Sequence, residues 1–152
     1  MDSTRKLLFA LLVLAAVLVL TSLWILRSPT KPAVIGSPVQ VDQGSYTNIT
    51  PKDLTTLLQV KDFALINVHI PYEGEIANTD AKIAYNEIDQ HLDQLPADKS
   101  ARIVLYCRSG RMSTIAAQQL VKLGYTHIFN LDGGMIAWEQ AGYTLLNRQN
   151  SN

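Results

Sequence analysis

The chain has 152 residues, with 13 basic and 13 acidic side chains and so no formal net charge. That length holds one ordinary domain plus an appendage, and the balanced charge removes the main reason to expect nucleic-acid binding, which needs a basic face. Apolar residues at 47% and charged residues at 17% exclude a disordered chain, and a single cysteine excludes an internal disulfide, a multi-cysteine metal site and an iron–sulfur cluster.

After a short tail, residues 1–6, residues 7–26 read LLFALLVLAAVLVLTSLWIL, without one charge. As a helix they would be about 30 Å long and apolar on every face, the length of a bilayer's hydrocarbon core. One transmembrane helix is therefore expected, with Trp24 at interfacial depth. The alternative is a cleaved signal peptide that releases a secreted domain. It is disfavoured because the run exceeds the usual apolar region and no small-residue cleavage site follows closely. Arg5 and Lys6 before the run nearly balance Arg27 and Lys31 after it, so basic residues alone do not orient the span. The short tail and large following domain match a signal anchor, which places a single-pass protein's soluble domain outside the cytoplasm. Residues 27–45 contain Pro29, Pro32, Pro38, Gly36 and Gly44 without periodicity, and predict an extended tether.

The soluble domain is expected over residues 46–147, followed by a polar tail, 148–152. Thr50, Pro51 and Asp53 carry a helix start: a cap, a first-turn proline and a first-turn acid. Residues 63–68 read as a buried strand, residues 69–84 as irregular, and Asn86 as the cap of a helix through Ile88, Leu92 and Leu95 that stops at Pro96. Residues 102–106 form the clearest strand, apolar on both faces, as in a parallel sheet covered by helices. A helix over residues 113–123 follows, with Ile115, Ala116, Leu120 and Leu123 as its apolar stripe and Gly124 as its left-handed cap. A strand at 127–131, a Gly133-Gly134 turn and a short helix at 135–140 complete the pattern. The alternation predicts an α/β fold with a mainly parallel central sheet flanked by helices.

Sites in such sheets form at the carboxyl ends of strands, which points to Cys107 and the loop Cys107-Arg108-Ser109-Gly110-Arg111-Met112-Ser113. A strand-to-helix turn gathers backbone N–H groups that have no internal acceptor, and the helix dipole adds positive potential. Gly110 permits the dihedrals that turn amides inward. Arg108 and Arg111 add two charges able to grip an oxyanion. This field favours the thiolate, the nucleophilic form of cysteine. A lone cysteine is more often an inert core thiol, but two arginines and a glycine within four residues are not core composition.

This loop resembles the active-site loop of the rhodanese-like sulfurtransferases. The segment Leu131-Asp132-Gly133-Gly134-Met135-Ile136-Ala137-Trp138 with Gly142-Tyr143 is similar to that family's closing motif, and Ile49-Thr50-Pro51-Lys52-Asp53-Leu54 to its opening. The resemblance covers residues 46–146 and implies a rhodanese-like fold. It also implies a reaction: Cys107 takes sulfane sulfur from a small donor such as thiosulfate, forms a persulfide and passes the sulfur to a thiophilic acceptor. The loop from Arg108 to Ser113 would bind substrate. No metal or organic cofactor is implied, and His69, His91 and His127 are scattered singly. Relatives with phosphatase or arsenate chemistry use Cys-x5-Arg; here that position is Ser113, which disfavours their reaction. The family often shows Asp-Val-Arg after its early strand and an acid beyond it. Here Asn67-Val68-His69 and Glu73 stand there, making His69 and Glu73 candidates for the pocket rim. The alternative to free turnover is a persulfide-carrying or docking module that serves a partner protein.

Overall fold

Six strands among the described residues, 35–147 and Ser3, build one sheet in a computed structural model, in the order β1-β2-β6-β5-β3-β4. β1 (Ser37–Val41) and β2 (Gly44–Ile49) form an antiparallel hairpin at one edge. β3 (Ala64–Asn67), β4 (Ala81–Lys82), β5 (Ile103–Tyr106) and β6 (Ile128–Leu131) run parallel, and β2 joins them through β6. The helices are α1 (Pro51–Leu58), α2 (Arg111–Lys122) and α3 (Gly134–Gln140). The α/β class and mainly parallel sheet match the sequence reading.

The α1 start is a complete capping box. The Thr50 hydroxyl accepts the Asp53 N–H at 3.2 Å, and the Asp53 carboxylate accepts the Thr50 N–H at 2.9 Å, so two orphan donors are satisfied reciprocally. β5 is buried along its whole length and its side chains alternate between two cores. Ile103, Leu105 and Cys107 join the core with Ala116, Ala117 and Leu120 of α2. Val104 and Tyr106 face Leu54 of α1 and Trp138 of α3. Burial of each such aliphatic side chain stabilises the fold by about 1.5–3 kcal/mol. The same period of two that hides Leu105 hides Cys107.

Three expectations are corrected. Residues 37–45 are not tether but the hairpin; Pro38 is tolerated because β1 is an edge strand with a free side, and the compact unit begins at Ile35. No α-helix forms over 86–95. Asn86, Asp89, His91 and Asp93 are weak helix formers, and isolated turns with one 3-10 turn, Leu92–Gln94, bury Ile88 and Leu95 instead. On α2, Ile115 is 43% exposed, and the buried stripe runs through Ser113, Ala116, Ala117, Leu120 and Val121. Gly124 does adopt the left-handed cap, at φ +88°. The expected transmembrane helix, 7–26, and the polar tail lie outside the described residues. Among those described, no helix is long and apolar enough to cross a membrane.

Candidate active site

Cys107 follows the last residue of β5, and the chain then turns through Ser109 and Gly110 into α2. Gly110 is the N-cap at φ +90°, a left-handed conformation that favours glycine. Its N–H donates to Cys107 Sγ at 3.1 Å, so a peptide dipole faces the sulfur. The fully buried Ser113 hydroxyl donates to the Gly110 carbonyl at 3.0 Å and lies 3.5 Å from Sγ. Its one proton serves the carbonyl first and fixes the turn. The first-turn amides of Arg111, Met112 and Ser113 have no acceptor within α2, and the positive end of the helix dipole lies beside the sulfur. Cys107 as a residue is only 1% exposed.

The loop rests on α3. Met135 N–H donates to the Cys107 carbonyl and Ile136 N–H to the Arg108 carbonyl, both at 2.9 Å. Such close approach needs glycine. A β-carbon on Gly134 would overlap the Cys107 carbonyl oxygen and stand 2.8 Å from the Arg108 carbonyl carbon. Gly133-Gly134, expected as a turn, is thus the seat of the cysteine loop.

The two loop arginines take different roles. Arg108 donates to Glu73 Oε2 at 2.7 Å, and Glu73 Oε1 lies 3.6 Å from Nε2 of His69. Glu73 therefore lies between His69 and Arg108, in contact with both. Arg111 is exposed and has no ion pair or hydrogen bond among the described residues. Ser109 is exposed and Met112 packs partly against the α2 core. Of the two, Arg111 can meet an anion without giving up a partner among the described residues. The Arg108–Glu73 pair, with Arg108 about half exposed, is worth on the order of 0–1 kcal/mol and opens easily.

Two contributors escaped the sequence reading. Asn67, 1% exposed at the end of β3, accepts the His69 N–H at 3.0 Å and donates to the Gly74 carbonyl at 3.0 Å. It thereby holds both ends of the segment that carries Glu73. The signal available was a polar residue ending an apolar strand. Tyr106, beside Cys107, accepts the Ile76 N–H at 3.0 Å and shares a 2.7 Å hydrogen bond with Thr79. Burial pushes its phenol up to about 12.

The sequence profile of the rhodanese-like domain matches residues 64–141. A sulfurtransferase of Allochromatium vinosum is 31% identical over 93 residues, 59% of this chain and 84% of that protein. An uncharacterised protein of Synechocystis is 35% identical over 111 residues, 70% of this chain but 61% of its own length. A rhodanese-related protein of Thermoplasma volcanium superposes with a TM-score of 0.56 at 27% identity, over 65% of this chain and 96% of that one. A mainly parallel α/β sheet with a cysteine cradled at the β5–α2 turn defines a class of cysteine-loop domains. Within it, the chain belongs to the rhodanese-like domain family.

Proposed function

We propose that the protein is a sulfurtransferase working through a Cys107 persulfide. The observation that carries this reading is the Gly110 N–H donating to Sγ at 3.1 Å at a helix N-terminus, an arrangement suited to an anionic sulfur. The Cys107 thiolate attacks the sulfane sulfur of a donor such as thiosulfate; the S–S bond breaks and sulfite leaves with the electron pair. Arg111 orients the donor's sulfonate oxygens. The outer sulfur of the persulfide then passes to a thiophilic acceptor, and the Cys107 thiolate returns. Neither step needs a metal or organic cofactor. Relatives named as sulfurtransferases, including a thiosulfate sulfurtransferase of Vibrio cholerae 30% identical over 98 residues, support the reading. The test is thiosulfate:cyanide turnover with Cys107→Ser beside it; a serine variant that retains turnover would overturn the mechanism.

One observation favours a second reading. At 1% exposure the sulfur is poorly placed for free small donors, as in a carrier whose docked partner opens the loop. Little steady-state turnover, with mass spectrometry showing one added sulfur on Cys107, would select that reading.

Residues 7–26 are proposed to anchor the domain as a single-pass protein with the domain outside the cytoplasm. The support is the uncharged run, long enough to span hydrocarbon. Protease treatment of intact cells tests it: digestion of the domain is expected, and full protection would reverse the topology.

A further inference from the structure

Where β3 and β4 end lies an open cavity of about 290 Å³. Asn67, His69, Tyr72 and Lys82 supply its polar lining and Ile83 and Ala84 part of its apolar lining. Its polar groups are incompletely satisfied. Among the described residues, neither ring nitrogen of His69, whose side chain is 7% exposed, has a hydrogen-bond partner, and neither does the buried Tyr72 hydroxyl. Buried polar groups of this kind are costly when left bare, and the volume exceeds that of a single water. The Lys82 ammonium sits 4.7 Å from the Tyr72 ring centroid and 3.4 Å from Glu75, a loose pairing that leaves donors available. A phenol O–H, an imidazole N–H and an ammonium therefore line one hollow beside aliphatic carbon.

The cavity and the reacting sulfur lie at the same end of the sheet. Asn67 pairs with Tyr106 across β3 and β5, and Val68 N–H donates to the Tyr106 carbonyl, so residues 69 and 107 leave the sheet at the same end. Glu73 joins the two places, touching His69 on one side and Arg108 on the other. Resting on the sulfurtransferase reading, we infer that this cavity binds the acceptor, and that the acceptor is a short thiol with an anionic head such as a carboxylate. The head meets Tyr72, Lys82 and His69, while the hydrocarbon stem lies on Ile83 and Ala84. The thiolate attacks the outer sulfur of Cys107–S–S⁻. A new S–S bond forms on the acceptor, the old one breaks, and its electron pair returns to Cys107 Sγ.

The experiment compares mercaptoacetate, 2-mercaptoethanol and 2-aminoethanethiol as acceptors at equal thiolate concentration, with cyanide as reference, in the full chain and in Lys82→Met and Tyr72→Phe. Mercaptoacetate is expected to react about tenfold faster than 2-mercaptoethanol, as one charge-assisted contact allows, and each variant should bring that ratio towards one. A ratio near one in the unmodified chain, a preference for the cationic thiol, or a ratio unchanged in both variants would overturn the assignment while cyanide turnover persists. Absence of cyanide turnover would overturn the sulfurtransferase reading, and this assignment with it.

Discussion

Gly134 lies directly against Cys107: a β-carbon at position 134 would occupy the space of the Cys107 carbonyl oxygen. The next residue, Met135, donates its N–H to that same oxygen at 2.9 Å. Two segments 27 positions apart in the chain thus share one backbone contact, and the sulfur's position depends on it. Gly134→Ala must shift the loop or unseat α3, and it also places a side chain at φ +56°. A loss of about 2–4 kcal/mol in stability is expected, read by urea denaturation. Sulfur transfer at temperatures where the variant stays folded should fall as well.

The arginines should separate kinetically. Arg111→Ala removes the loop charge that has no partner among the described residues, so the KM for thiosulfate should rise about 10- to 100-fold, the worth of a charge-assisted contact. Arg108→Ala should have a smaller effect, because Glu73 already holds that guanidinium at 2.7 Å. Initial-rate kinetics on both variants checks this; equal effects would mean that Glu73 releases Arg108 when the donor binds.

Tyr106 predicts a loss of stability in alkali. Its folded pKa, raised by burial to about 12, exceeds the value of about 10 for a free phenol. Between those pH values the folded chain keeps a proton that the unfolded chain gives up. This contribution is fully present below pH 10 and falls by about 1.4 kcal/mol per pH unit as pH rises through the window. Tyr106→Phe lacks the slope but leaves the Ile76 N–H without its acceptor, a cost of about 1–3 kcal/mol near neutrality. Denaturation at pH 9 and pH 11 should show the gap between the two proteins narrowing by roughly 1 kcal/mol.

Cys107 should discriminate alkylating reagents by size. At 1% exposure its sulfur is expected to react with iodoacetamide many times more slowly in the native protein than in urea. A bulky maleimide should suffer a larger ratio still. Stopped-flow or mass-spectrometric labelling measures both, and equal native and denatured rates would place the sulfur at the surface.

Local signals in the sequence determined a good part of this protein. The capping box at Thr50 and Asp53, the doubly apolar run of β5, the left-handed cap at Gly124 and the cysteine at a strand-to-helix turn all depend on residues within a few positions of each other. The tertiary structure alone decided what depends on distant partners. It made residues 37–45 a hairpin, because β2 finds β6 about eighty positions on. It gave Arg108 to Glu73, exposed Ile115, set Gly134 under Cys107 and gathered His69, Tyr72 and Lys82 around one cavity. The physical reason is that periodicity and capping are short-range and repeat along the chain. A side chain's partner in space is chosen only when the sheet closes and brings remote segments within hydrogen-bond reach.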